Sequence, residues 1–226
     1  PESGRLACGY TGDGKLAPVQ QIVDAALKVL SGKDDAPTKQ DLAGKKLLIT
    51  AGPTHEKIDP VRFIANCSTG KLGYTVAKVA ARRGADVTLV SGPTHLEIPQ
   101  GVKVQRVVSA EDMYKACAGV FDSVDAAILT AAVADYTPAH PADHKLKKSQ
   151  EYLESIDLKE TTDILASLSK ANKDQVVVGF AAETNNVLEH AQAKLERKGC
   201  FMIVANDVSR PDSTFGSDTD RVAFVT

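Results

Sequence analysis

From residue 45 onward, short apolar runs recur with helix-periodic stretches between them, and this alternation constrains the fold more than any other feature of the chain. The runs Lys45–Thr50, Ala85–Ser91, Lys103–Val108, Asp125–Ala131, Gln175–Ala181 and Cys200–Ala205 are mostly continuous rather than alternating. Strands buried on both faces read this way. The segments Gly70–Gly84, Ala110–Phe121, Thr162–Ala171 and Asn186–Gly199 carry apolar residues at helical spacing, and Gly84 and Gly199 stand where helices end. The pattern predicts an α/β domain with a doubly wound, mostly parallel sheet of Rossmann-like topology. Such sheets bind ligands beyond the carboxyl ends of their strands. Leu153–Glu160 alternates and predicts a short, partly exposed strand, and Arg221–Val225 predicts a final one.

Upstream the composition changes. Pro1–Ala17 is rich in glycine and has no apolar period, which predicts a loop. Pro18 suits a first helical turn, and Val19, Ile22, Val23, Ala26, Leu27 and Leu30 form one stripe behind it. Ser31–Gly44 is polar and charged, as linkers are. The chain therefore divides into residues 1–44 and a main domain, 45–226.

With Lys+Arg 27 against Asp+Glu 29, the net charge is -2. That supplies no general attraction for nucleic acid or an anionic membrane, so any anion must be held by a local site. The longest apolar runs, such as Asp125–Val133, fall well short of the roughly 20 residues a bilayer span needs. Cysteines at 8, 67, 117 and 200 have neither metal-ligand spacing nor the density of a secreted scaffold, and a reducing cytoplasm is expected. Cys67 is expected to be a small buried residue. No cluster of His and carboxylate has metal spacing.

A dinucleotide oxidoreductase is disfavoured. G-x-G-x-x-G is absent after the first strand, and Ser91-Gly92-Pro93 stands where an acid would hold a ribose. A long connection, Ala51–Thr69, follows the first strand instead, and long connections in compact domains are usually functional. Ser68 or Thr69 is placed to cap the next helix. Gly70 and Gly73 would let an anion approach its free N–H groups, although a plain cap explains the same residues.

The segments ITAGPTHEKIDPVRFIANCSTGKLG, AAVADY, KLKK, VGFAAETNN and ANDV, in this order, closely resemble phosphopantothenoylcysteine synthetase, also called phosphopantothenate-cysteine ligase. In bacteria that family is commonly fused behind a flavin-dependent decarboxylase. The opening PESGRLACGYTGDGKLAP resembles the end of the decarboxylase. This implies that residues 1–44 are its tail, that Cys8 is a proton donor there, and that FMN belongs to that upstream domain. Family members continue past residue 226, so the last turns are expected to be missing.

The resemblance implies a ligase that joins the carboxylate of 4'-phosphopantothenate to the amine of L-cysteine through an acyl-cytidylate. CTP becomes CMP and pyrophosphate; the residues' chemistry alone does not separate CTP from ATP. Mg2+ is expected with the triphosphate, keeping several waters, and a homodimer is expected.

The resemblance also implies roles. Lys145 would neutralise charge at the transferring phosphate. Asn66 would hold the acyl oxygen, as an amide can, and Arg62 would pair with a carboxylate or phosphate. The nucleotide would meet Ser68, Gly70, Gly73, Ala131, Ala132 and Asp135, the turn Thr162-Asp163-Ile164-Leu165, and Phe180 as a wall for the base. Lys194 and Lys198, four apart on one helix face, would meet its phosphates. Asn206-Asp207-Val208 would complete the substrate pocket. A nucleotide-sensing module is the competing reading: it would keep Asp135 and Phe180 but would not need Lys145 beside Asn66.

Overall fold

Leu47, Leu48, Ile49, Thr50 and Ala51 are all buried although their side chains alternate in direction, which requires a sheet covered on both faces. The computed structural model describes residues 2–5, 11–15, 39–147, 154–209, 219 and 221–226. The chain divides into two compact units, Pro1–Lys39 and Gln40–Thr226.

In the first unit, β1 (Glu2–Arg5) pairs antiparallel with β2 (Thr11–Lys15), Gly4 opposite Gly12. The expectation of a loop over Pro1–Ala17 is thus corrected. A backbone ladder needs no apolar period, so glycine-rich strands leave no such signal. The expected helix after Pro18 and residue Cys8 lie outside the described residues.

The second unit opens with Gln40–Lys45 fastened to the end of a later helix: Asp41 pairs bidentately with Arg83, and Leu42 N donates to Arg83 O. There follow β3 (Lys46–Ala51), the ribbon β4 (Glu56–Lys57) and β5 (Phe63–Ile64), α1 (Lys71–Arg82), β6 (Asp86–Ser91) and β7 (Val102–Arg106). Next come α2 (Ala110–Phe121), β8 (Ala126–Leu129) and a second ribbon of β9 (Tyr136–Pro138) and β10 (Leu158–Glu160). The last elements are α3 (Ile164–Ala171), β11 (Val176–Glu183), α4 (Val187–Lys198), β12 (Met202–Asp207) and β13 (Val222–Val225). Seven strands form one sheet in the order β13-β12-β11-β8-β3-β6-β7, parallel except for β13. The doubly wound α/β expectation is met, with four helices among the described residues.

Leu47, Ile49 and Ala51 pack under α1 with Tyr74, Ala77 and Ala80. Leu48 faces the other way, among Met113 and Cys117 of α2 and Ile164 and Leu168 of α3. On β11, Val177 joins that second core and Ala181, on the same side, meets Ala191 of α4. Helices thus cover both faces, and the strand order reverses between β3 and β8, where a crevice opens at the carboxyl edge.

Local chemistry fixes the helix starts. Ser109 and Asp112 form a reciprocal capping box on α2, at 3.1 and 3.0 Å, and buried Glu56 accepts from Ala110 N at 2.8 Å. Asp163 caps α3 by accepting from Ala166 N. On α1 the expectation of a Ser68 or Thr69 cap is corrected. The N-cap is Gly70, at φ 78, while the Ser68 and Thr69 hydroxyls accept from the amides of Gly70 and Lys71 in short local turns.

Candidate functional site

A cavity of about 780 Å³ lies at the reversal point. A strap of backbone, Thr130 to Ala134, leaves the carboxyl end of β8 and lines this space from Thr130 through Val133. The strap carries no regular ladder, so side chains and loops must satisfy its polar groups. Thr130 Oγ1 donates to Thr50 O at 2.6 Å, and Ala131 N donates to Thr50 Oγ1 at 3.1 Å. Ala132 N donates to Gly52 O, and Ala134 N donates to buried Thr54 Oγ1 at 3.0 Å. Thr161 Oγ1 donates to Ala134 O at 2.7 Å, and Asn66 Nδ2 donates to Val133 O at 2.9 Å. The small side chains of Ala131 and Ala132 leave this fixed backbone open to the cavity.

Eleven of the residues given a catalytic or nucleotide-binding role in the sequence line this one space: Asn66, Ala131, Ala132, Asp135, Thr162, Asp163, Ile164, Leu165, Phe180, Lys194 and Lys198. Lys194 Nζ donates to Phe180 O at 2.7 Å. Burial, and then the neighbouring Lys198, push its pKa below the ordinary lysine value. Lys198 pairs with Asp163, so a cation and the α3 cap close one side. Against its burial, the hydrogen bonds from Ala166 and Lys198 hold the Asp163 carboxyl below its usual range.

The remaining residues stand elsewhere. Ser68, Gly70 and Gly73 do not line the cavity. A side chain on Gly73 would come within 2.5 Å of Ala51 Cβ and Thr130 Oγ1, and one on Gly70 within 3.2 Å of the Gly52 backbone, so both glycines permit close chain packing. Asn206, Asp207 and Val208 also lie off the lining. Lys145 is exposed and outside it, on the segment between β9 and β10. Arg62 already holds a carboxylate of its own chain: its Nε donates to buried Asp59 at 3.0 Å, and its Nη2 donates to Leu146 O at 3.0 Å. The Arg62 guanidinium holds the Asp59 carboxyl well below the usual carboxylate range.

Cys67 is exposed at the cavity wall, which corrects the expectation of burial. Burial applies instead to Cys117, whose thiol is pushed up to about 12. Sequence reading missed Thr50, Thr54, Tyr136, Glu160 and Thr161. The visible signal was a polar Thr at the end of an apolar strand and another beside the Asp163 cap. Among the described residues no group of three or more His, Cys, Asp or Glu is placed to hold a metal, and no helix is long and apolar enough to cross a membrane.

The family described as the DNA/pantothenate metabolism flavoprotein C-terminal domain matches residues 42–226. The chain is 48% identical over 225 residues to the coenzyme A biosynthesis bifunctional protein CoaBC of Bacillus subtilis (strain 168), covering 99% of this chain and 54% of that protein. It is 43% identical over 227 residues to a cysteine/cysteine sulfinic acid decarboxylase of an unknown prokaryotic organism, covering 62% of the latter. The chain thus spans between half and two thirds of these relatives' lengths. The crystal structure of the C-terminal domain of a coenzyme A biosynthesis bifunctional protein CoaBC superposes with a TM-score of 0.66 at 46% identity. That superposition covers 82% of this chain and 87% of the other.

Proposed function

The chain belongs to the DNA/pantothenate metabolism flavoprotein C-terminal domain family, and from that premise we propose that it is a phosphopantothenate-cysteine ligase of coenzyme A biosynthesis. The observation that carries this reading is the cavity itself. One space gathers an amide from the first crossover, an open backbone strap, a helix-capping turn, an aromatic wall and two lysines.

In this reading CTP lies along the strap, with its base toward Phe180 and its phosphates toward Lys194 and Lys198. A carboxylate oxygen of 4'-phosphopantothenate attacks the α-phosphorus; the P–O bond forms as the bond to the β-phosphate breaks, and pyrophosphate leaves. Lys145 neutralises charge in that step. The amine of L-cysteine then attacks the acyl carbon, loses a proton and expels CMP, with Asn66 donating to the developing oxyanion. Arriving with the triphosphate, Mg2+ would supply charge neutralisation there. Asp135 and Glu160, both on the cavity wall, offer oxygen atoms of the kind that a partly hydrated Mg2+ accepts. The working assembly is a cytoplasmic homodimer behind an upstream decarboxylase domain, where Cys8 and FMN act.

Incubating the chain with CTP, Mg2+, 4'-phosphopantothenate and cysteine tests the proposal. Pyrophosphate and CMP should appear in equal amounts, only with phosphopantothenate present, and more with CTP than with ATP. Nucleotide binding without pyrophosphate would favour a sensing module, and carbon dioxide release from cysteine would favour a decarboxylase.

A further inference from the structure

The segment that carries Lys145 lies between β9 and β10, and two side chains from the first crossover grip it. Asp59 is 1% exposed. Its Oδ1 closes a local turn by accepting from Val61 N and Arg62 N, both at 2.8 Å. That turn needs only one carboxylate oxygen. The other, Oδ2, accepts from the Arg62 guanidinium and also, at 3.2 Å, from Leu146 N, 87 residues later in the chain. Arg62 Nη2 meanwhile donates to Leu146 O at 3.0 Å. Leu146 is therefore held on both sides: by the N–H of the peptide that joins it to Lys145 and by its own carbonyl. A third bond, from Ala142 N to Ile58 O at 2.9 Å, ties the same two stretches together.

We propose that Asp59 is a positioning residue: with Arg62 as its arm, it fixes the backbone beside Lys145 relative to the crossover that presents Asn66 to the cavity. Asn66 lies four residues beyond Arg62 on that crossover, so one short connection sets the places of both groups. Arg62 then acts through Leu146, because the Nε and Nη2 that would fork onto a substrate carboxylate or phosphate are committed to Asp59 and Leu146. A buried carboxylate that accepts two guanidinium N–H groups on one oxygen is a stiff anchor for an otherwise ladder-free segment, and small misplacements of a charged group cost large rate factors. The inference rests on the ligase reading for what Lys145 does, and on geometry alone for what holds it.

The test uses the whole chain with Asp59→Asn, which keeps the shape and removes the charge. Tryptic cleavage between Lys145 and Leu146 should quicken by roughly tenfold, the factor that corresponds to about 1.4 kcal/mol of lost restraint. CTP affinity should stay within about twofold, because the lysines at the cavity are untouched. Phosphopantothenate-dependent pyrophosphate release should slow, and Asp59→Asn combined with Lys145→Gln should be no slower than Lys145→Gln alone. An unchanged cleavage rate, or rate losses that multiply in the double variant, would overturn the proposal. Should Asp59→Asn fail to fold, Arg62→Lys breaks the same grip from its more exposed side and must give the same cleavage and coupling results. If the parent chain releases no pyrophosphate, the ligase reading fails, and the cleavage rates still decide whether Asp59 anchors the segment.

Discussion

Lys194 is a cavity lysine whose surroundings oppose its charge until an anion arrives. Free of ligand, its ammonium is penalised by burial and by Lys198, and Glu183 and Asp163 offset part of that. A triphosphate would restore the charge, so nucleotide binding should take up protons on the alkaline side. As pH rises toward the ordinary lysine value of 10.5, CTP affinity should fall earlier than a surface lysine would dictate. Stability carries the opposite sign: the unfolded chain binds more protons at this position, so this group's contribution rises with pH over the same window. Calorimetry in buffers of different ionisation enthalpy checks the proton uptake. Alanine at Lys194 or Lys198 should weaken CTP binding by about 1 to 3 kcal/mol, the scale of a charge-assisted hydrogen bond, and unchanged affinity in the double variant would remove both from the site. Cys67 gives a second residue-level check. Exposed on the cavity wall, it should be alkylated far faster than buried Cys117, and saturating CTP should slow its labelling. Labelling that ignores CTP would mean that the nucleotide lies elsewhere.

The elements were legible wherever packing imposes a period. The seven strands of the main sheet and the four described helices follow from apolar runs and helical spacing: central strands buried on both faces and helices buried on one leave a compulsory pattern, while the half-exposed edge strands β7 and β13 left only short runs. The ribbons β1–β2, β4–β5 and β9–β10 are short antiparallel ladders, and only β10 left a trace, in the alternation before Glu160. The start of α1 misled for a related reason. Ser68 and Thr69 are good caps by type, but the close approach of Gly70 to Gly52 sets the path, and no local signal encodes a distant backbone. Gly73 turns that contrast into a test by sign. If its role were only to admit a ligand, Gly73→Ala would stabilise α1 by up to about 1 kcal/mol through helix propensity. Pressed against Ala51 and Thr130, the added methyl should instead destabilise the domain by about 1 to 3 kcal/mol, as overpacked cores do. The midpoint of urea unfolding distinguishes the two.

Across the whole domain the cavity draws on both halves of the sheet. The Asn66 crossover and Thr50 come from β3, the strap from β8, the turn from before α3, and the lysines from α4 after β11. Sequence could name most of these residues singly because the resemblance supplied them. It could not supply the threonines that fix the strap, since a buried Thr is distinguished only by a partner 80 or 81 residues away. This division of labour between segments should separate the two half-reactions of the proposed ligase. Lys145 lies off the cavity lining, so Lys145→Gln should leave CTP affinity nearly intact while suppressing pyrophosphate release, the signature of a group that acts in the transition state. Asn66 has two duties: it faces the cavity, and its Nδ2 holds Val133 O. Asn66→Asp exchanges that donor for a second acceptor, repels the strap carbonyl and sets negative charge where an oxyanion must form. CTP affinity should therefore weaken modestly, and attack by cysteine should slow more than pyrophosphate release, so that acyl-cytidylate accumulates. Mass spectrometry after incubation with CTP, Mg2+ and phosphopantothenate would detect it. If the Asn66→Asp variant turns over cysteine at the parental rate, or Lys145→Gln releases pyrophosphate normally, the two residues do not divide the reaction in this way.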